Sequence, residues 1–549
     1  MYRKFFLVFA GAAATLFSLA AAVNAIADPY DVWGIYRKVG FNMYSPKVEE
    51  VERLAKPIDF LHFAPQPEVV FLGTSQVLHG IDADAYRGMT GQPSYNFALR
   101  GATLYEQRRC LEHVLAADPE LKEVIIGLTY ALFIDGDHYV LEKEAPAFLD
   151  NEAQYGTTHL TGTNLAKTLL SSDALRDSLK KIRLNRKQPR THSYCMASGK
   201  VYDGSMLDFC QRDYWHFNRT LTRMQQAGNY VGPRRKESSY EELRRMLALC
   251  EAHGVKVRLF IPAVHARQME VMADSWEAYE DWRRELVQLA PVMDFTGYND
   301  VTMSPAAEGV ITADTNPYFW DTMHVKTELG NAMLARLAGA PGADAAFGVL
   351  LTPENVEAHL EALRIGREAW EAAHPESMEE VRYYSRFSQA VPQALAHEGL
   401  AYGQGIVQLQ EAGAEKHVFG DDWRLEPAAF SKQKPLSIVL GTENRLFVHG
   451  SYLAPPGRLR AVYAVLEDAS GQRRYALTEW ARSPKAAEFM RNQGYAERGF
   501  RMEMPMWNMP SGTYRLSFVE VTEDGAAYAS GTLGEVTVRE QGGEAGLVG

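Results

Sequence analysis

Glu68-Val69-Val70-Phe71-Leu72-Gly73-Thr74-Ser75 is the stretch that decides the fold of this chain. Four consecutive apolar residues without polar alternation describe a strand buried on both faces, and strands of that kind belong to parallel sheets. Gly73 allows the chain to turn sharply, so Ser75 stands at the carboxyl end of the strand, where ligands bind in open α/β sheets. The same pattern returns at residues 123–128, preceded by helical periodicity over 103–117 and an Asp118-Pro119 break. It returns again at 255–262, after a helix expected over 240–253 with Gly254 as its C-cap. A further strand at 292–295 and a closing helix at 325–337 complete a series of βαβ units, so the expectation is an α/β fold with a mostly parallel sheet.

Beyond this unit the pattern changes twice. Residues 346–432 read as a charged helical connector, with amphipathic segments at 356–365 and 378–395. Residues 433–540 carry seven short apolar runs, at 436–440, 445–452, 459–466, 473–479, 499–506, 513–521 and 528–538, separated by Gly, Pro, Asp and Asn. That spacing fits an immunoglobulin-like β-sandwich. At 549 residues the chain is too long for one small binding module, since domains average roughly 150 residues. Hydrophobic residues at 46% and charged residues at 23% describe a folded globular chain with large cores. A net charge of −12 and the lack of a long Lys/Arg block argue against nucleic acid as a partner.

The N-terminus carries an export signal. Arg3 and Lys4 precede an apolar run over residues 5–23 that reaches the roughly 20 residues needed to cross a bilayer. Residues 1–27 are therefore read as an uncleaved signal anchor, with a signal peptide cleaved near Ala22-x-x-Ala25 as the alternative. The cationic end stays in the cytoplasm, and the chain after Asp28 is delivered to the periplasmic, extracytoplasmic face of the cytoplasmic membrane. Of the four cysteines, Cys195 and Cys210 are spaced to close a short disulfide loop, while Cys110 and Cys250 lie in helical patterns as buried thiols. Neither a C-x-x-C pair nor His/Cys spacing indicates a zinc site.

Chemistry requires a partner for Ser75. A strand followed by Gly-x-Ser is by itself as often a plain turn or a helix N-cap. The partner is Trp320-Asp321-Thr322-Met323-His324-Val325, just before the closing helix of the same unit. Asp-x-x-His at a loop-to-helix junction brings a carboxylate to the imidazole Nδ1 and leaves Nε2 to take a proton from a serine hydroxyl. Alone, this motif is as often a capping Asp and a surface His; with Ser75 in the same α/β unit it becomes a candidate Ser-Asp-His triad. The Gly-x-Ser-x-Gly elbow is absent, because Val77 occupies the second Gly position, which argues against an α/β-hydrolase. His265, after the third strand, reads as a satisfied loop histidine. Trp276, Tyr279 and Trp282 read as helix core packing, whereas Tyr318, Phe319 and Trp320 beside the Asp-His pair are placed to line a carbohydrate cleft.

Taken as a set, Val70 to Ser75 with Gly80-Ile81-Asp82, Tyr95-Asn96-Phe97-Ala98-Leu99-Arg100-Gly101-Ala102, Ile125-Ile126-Gly127-Leu128 and Asp321-x-x-His324 resemble the SGNH (GDSL-like) superfamily. Within that superfamily they resemble the branch of membrane-anchored acetyltransferases that includes the alginate acetylation proteins and the DltD-type proteins. The anchor followed by Asp28-Pro29-Tyr30 resembles that group too, and the resemblance covers residues 28–340 within an α/β unit placed at 28–345. It implies a three-layer sheet, with Ser75 as acyl-accepting nucleophile, His324 as general base and acid, and Asp321 as its orienting partner. It further implies oxyanion donors from the backbone N–H of Ser75 and of the Gly101 region, with Asn96 as a side-chain donor or as the holder of its own turn. The chain departs from the hydrolytic branch in lacking Gly-x-Asn-Asp, since Leu128-Thr129-Tyr130 follow Gly127, and this departure is shared with the transferase branch.

The resulting expectation is an O-acetyltransferase acting on hydroxyls of an extracytoplasmic polysaccharide through an acetyl-serine, with no metal or cofactor. A membrane-embedded acyltransferase partner supplies the acetyl groups. The same triad also serves a carbohydrate esterase, and a non-catalytic glycan-binding assembly subunit is the rival from another class.

Overall fold

The computed structural model describes residues 2–45, 48–135, 162–212, 217–218, 220–221, 234–271, 275–306, 311–378 and 381, and then 401–402, 407–415, 425–427, 436–441, 445–452, 459–481, 499–505, 509–522, 527–530 and 532–539. Its main sheet is built from β1 (Val69–Leu72), β2 (Ser94–Asn96), β3 (Glu123–Gly127), β6 (Lys256–Ile261), β7 (Val292–Asp294) and β8 (Val349–Leu351). A short antiparallel ladder of β4 (Ile134–Asp135) with β5 (Arg234–Arg235) lies outside it. The order is β2-β1-β3-β6-β7-β8, parallel throughout except for the antiparallel edge strand β8. The chain leaves β1 toward β2 on one side and continues to β3, β6 and β7 on the other. The order therefore reverses between β1 and β3, and the carboxyl ends of strands at such a reversal are where open α/β sheets generally bind ligands.

Strand side chains alternate between two cores. Val70, Leu72, Val124, Ile126, Leu259 and Ile261 pack against the helices Leu104–Ala117, Glu237–Ala252 and Trp276–Leu289. Val69, Phe71, Ile125 and Phe260 pack on the other face against Ser75–Gly80, Ala83–Thr90 and Thr327–Ala338. Both sheet faces are thus covered, which is why the strands read as unbroken apolar runs. Local chemistry sets the helix ends. Thr103 and Glu106 form a reciprocal capping box at the start of Leu104–Ala117. Gly254, at φ +66°, takes the left-handed position just past Glu237–Ala252.

Two expected boundaries move. The α/β unit runs past residue 345, because β8 pairs with β7 and the helix Val356–Ala373 packs Val356, Leu360 and Leu363 with Val287. The described residues between 401 and 432 are strands rather than part of the expected helical connector. Val407–Glu415 is a strand, paired with Leu425–Pro427 and with Arg445–Tyr452. The charged composition of this region favours a helix locally, and the cross-strand partner overrides it. Most of the amphipathic segment expected at 378–395 lies outside the described residues.

The C-terminal strands form two separate sheets. One has the order Leu425–Pro427, Val407–Glu415, Arg445–Tyr452, Gly499–Pro505, Glu479–Ala481 and is antiparallel throughout. The other runs Leu436–Gly441, Gly534–Arg539, Gly512–Thr522, Leu459–Glu467, Arg473–Leu477, antiparallel apart from its first pair. Phe500 of one sheet meets Phe518 of the other with ring centroids 5.1 Å apart. At the opposite end of the chain, Tyr2–Ala27 is a single helix with mean hydropathy 2.2 in its most apolar window.

Candidate active site

β1 ends at Leu72, and Ser75 opens the six-residue helix Ser75–Gly80. The turn between them has room for no side chain: a Cβ on Gly73 would overlap Val77 Cγ2, and so would a Cβ on Gly127 at the end of β3. Val77, the residue that replaces the second elbow glycine, is wedged between these two glycines. The switch point of the sheet is thereby closed around the base of the Ser75 turn.

Asp321 and His324 lie on a loop that folds back on itself. Phe319 and Val325 form an antiparallel bridge, and Trp320 N donates to His324 O at 2.8 Å. Within the loop, Asp321 Oδ1 accepts from the backbone N–H of Met323 and of His324, each at 2.8 Å. Its Oδ2 accepts from His324 Nδ1 at 2.7 Å. With the proton on Nδ1, His324 Nε2 is an acceptor, and the Ser75 hydroxyl donates to it at 2.9 Å. Asp321 is fully buried, His324 is 8% exposed and Ser75 is half-buried. The structure therefore brings Ser75 to a pair that lies 246 or more positions away along the chain, Asp321 and His324 being neighbours on one turn.

The loop is held from several sides. Gln76, next to Ser75, donates from Nε2 to Met323 O at 3.1 Å. The Thr322 hydroxyl donates to Gln268 Oε1 at 2.8 Å, and His265 N donates to Thr322 O at 3.0 Å. His79, one turn beyond Ser75, sets its ring perpendicular to that of His324 with centroids 5.4 Å apart. Burial, with Arg100 and His324 adding to it, pushes the His79 imidazole well below the ordinary histidine range, so it stays neutral. None of Gln76, Gln268 and His79 was legible as part of the site. His79 alone carried a signal, its spacing of one helical turn from Ser75.

Of the two roles expected of Asn96, the hydrogen bonds are those of a residue that holds its own turn rather than of an oxyanion donor. Its Nδ2 donates to Val77 O at 2.9 Å and Ile81 O at 2.8 Å, its Oδ1 accepts from Ala98 N at 3.0 Å, and the side chain is fully buried. Both amide protons are spent on closing the end of the Ser75–Gly80 helix. Gly101 sits at φ +57°, a conformation that favours glycine, in a turn that Leu99 N ties to Gly73 O at 3.2 Å.

His265 is buried, donates from Nε2 to Ser304 O at 2.6 Å and accepts from Arg267 N at its Nδ1, with burial lowering its pKa to about 4. It is a satisfied structural histidine. Phe319 and Trp320 do not line an open cleft, because both are buried in the core and Tyr318 packs against it. Tyr279 and Trp282 are core residues as expected, yet they also wall a small cavity of about 30 Å³ that reaches Gln76 and Met323, the chain neighbours of Ser75 and His324. Gln76, Thr129, Gln268 and Met323 line the same cavity. Two of these lining residues each carry a buried amide atom with no hydrogen-bond partner among the described residues, Gln76 Oε1 and Gln268 Nε2.

No disulfide joins Cys195 to Cys210, and all four cysteines are thiols. Cys195 is instead bridged to Val201 through the backbone, and Cys210 is buried in the core beside the helix Thr327–Ala338. Among the described residues no group of three His, Cys, Asp or Glu side chains is placed to hold a metal ion.

No family model and no curated protein matches this chain. Among solved structures, it is similar at 11% identity and a TM-score of 0.15 to the Pseudomonas fluorescens alkylpurine DNA glycosylase AlkC bound to DNA containing an abasic site analog, over 80% of this chain and 99% of that one. A likeness of that size carries no argument about fold or function.

Proposed function

We propose that the chain is a membrane-anchored serine acyltransferase of the SGNH type that acetylates hydroxyls of an extracytoplasmic polysaccharide. The observation that carries this reading is the line Asp321 Oδ2, His324 Nδ1, His324 Nε2, Ser75 Oγ, with hydrogen bonds of 2.7 and 2.9 Å at the carboxyl edge of the sheet. In the first half-reaction Ser75 Oγ attacks the acetyl carbonyl while its proton passes to His324 Nε2. Asp321 stabilises the imidazolium without taking its proton. The tetrahedral oxyanion is held by the backbone N–H of Ser75, which has no intrahelical acceptor at the first position of its helix, and by the Gly101 turn. Collapse expels the donor's leaving group, which takes the proton from His324. In the second half, His324 accepts the proton of a sugar hydroxyl as that oxygen attacks the acetyl-serine, and Ser75 is regenerated.

The buried end of the N-terminal helix supports retention of the anchor. Asn24 and Ala27 are fully buried, so cleavage near Ala25 would remove part of the folded body. The two C-terminal sheets fit an immunoglobulin-like sandwich that contacts glycan or a protein partner, and a multi-span acyltransferase is the source of acetyl groups in this scheme.

The test is partition of the acyl-enzyme. Full-length protein in detergent micelles is charged with an activated acetyl ester, and its discharge is followed with and without a sugar oligomer. Faster discharge with acetylated oligomer as product is the expected result. Equal discharge in both, with free acetate, would replace transfer by hydrolysis.

A further inference from the structure

Exposed apolar side chains crowd the place where the N-terminal helix joins the α/β unit. Asn24 Nδ2 donates to Leu169 O at 2.7 Å, and Asn24 Oδ1 accepts from the Ser178 hydroxyl at 2.8 Å. Asn42 Nδ2 donates to Ile26 O at 2.8 Å and also binds Tyr36 O. These partners belong to the helices Gly162–Leu170 and Ser172–Lys187 and to the loop over residues 28–45. Directly beside them, Leu170 is 49% exposed, Leu179 53%, Ile35 66%, and Tyr36 and Val39 each 43%. Apolar side chains clustered in this way around one point mark an interaction surface rather than ordinary scatter.

Charge supplies a second observation. Ser172–Lys187 exposes Arg176, Lys180, Arg183, Arg186 and Lys187, and its exposed acid is Asp173, in a chain whose net charge is −12. Its other acid, Asp177, is buried and takes the Tyr30 hydroxyl at 3.1 Å. Leucines bordered by long cationic side chains describe a helix lying in a membrane interface, where the stems bury and the charges reach lipid phosphates.

We propose that the helices Gly162–Leu170 and Ser172–Lys187, with the loop over 33–39, lie on the bilayer surface, their apolar side chains in the headgroup boundary and their cations on anionic lipid. This rests on the N-terminal helix being a retained membrane anchor. The occupant is lipid because that helix carries its exposed apolar residues 5–19 away from this same face, which places hydrocarbon beside it. Little slack separates anchor and body: Asp28 accepts from the N–H groups of Val32, Trp33 and Gly34, and Lys181 Nζ donates to Asp28 O at 2.5 Å. The anchor and the face together hold the catalytic edge of the sheet at a fixed attitude to the membrane.

The test uses full-length protein in vesicles of phosphatidylcholine, with or without phosphatidylglycerol, doped with a doxyl-lipid quencher. A fluorophore is attached at Ile35→Cys, Leu179→Cys or, as a control, Leu350→Cys on the exposed edge strand of the sheet, with the unsubstituted protein as background. Labels at 35 and 179 are expected to be quenched and the label at 350 not. The triple change Arg183→Glu, Arg186→Glu, Lys187→Glu is expected to reduce quenching at 179 by roughly half, and only in vesicles with anionic lipid. Intact mass separates the two ways of failing. An intact chain whose labels at 35 and 179 are quenched no more than that at 350 overturns the face, and a chain lacking residues 1–27 overturns the anchor and the proposal with it.

Discussion

Asp321 does two jobs with one carboxylate: Oδ1 shapes the turn through two backbone N–H groups, and Oδ2 fixes the imidazole. Asp321→Asn keeps the size but offers an N–H to one of these sites, so the turn or the tautomer is lost; acyl transfer is expected to fall by about 10³- to 10⁴-fold in steady-state assays. Asn96 belongs to stability rather than chemistry. Asn96→Ala strands the carbonyls of Val77 and Ile81 in the core, and the expected cost of about 2–4 kcal/mol is read from urea midpoints. His265 makes stability pH-dependent with a defined sign. The unfolded chain binds a proton at the ordinary histidine pKa of 6.5 and the native state only at about 4, so stability falls as pH drops through that window. Replacing His265 with Asn is expected to flatten the slope of unfolding free energy against pH by up to about 1.4 kcal/mol per unit, measured by urea unfolding across the same range. Ser75 and the Asp-His pair were legible because each sits at a punctuated junction, a strand end and a helix start. Gln76 and Gln268 were not, since what defines them is a bond to a loop far away in sequence, and sequence shows types and spacings rather than partners.

At the scale of elements, the site depends on how closely the Ser75–Gly80 helix approaches the helix that follows His324. A Cβ on Gly330 would overlap the Gly80 carbonyl, and a Cβ on Gly80 would overlap Val325 Cγ2. Backbone cannot yield there as a flexible side chain can. Gly330→Ala is therefore expected to lower the melting temperature and to reduce acyl transfer by about tenfold or more, since a shift on the order of 1 Å between nucleophile and base costs that much. Gly88 is the contrast: it lies within Ala83–Thr90 with nothing near its Cβ position, so Gly88→Ala is expected to stabilise by about 0.5–1 kcal/mol without changing activity. The parallel strands were readable because burial on both faces leaves unbroken apolar runs. β2, β8 and Val407–Glu415 were not, because the first two are short strands at the two edges of the sheet and the third carries polar and acidic residues, and each is specified by its neighbour in the sheet.

For the whole molecule, the topology explains why a serine near residue 75 and a histidine near 324 can meet: the strand order reverses between β1 and β3, and the helix Thr327–Ala338 that follows His324 packs on the same sheet face as the helix Ser75–Gly80. The apolar N-terminal helix was evident from composition, but its built-in last turn was not, because Asn24 looks like a polar break until Leu169 and Ser178 are seen to receive it. The central claim is that Ser75 becomes acylated through His324 and Asp321. The most direct measurement is the intact mass of the full-length protein after brief exposure to an activated acetyl ester at neutral pH, beside Ser75→Ala and His324→Ala. The account predicts a gain of one acetyl group that maps to Ser75, is absent in Ser75→Ala and forms about 10³-fold or more slowly in His324→Ala. An adduct that forms equally in all three proteins, or none in the wild type, would contradict it.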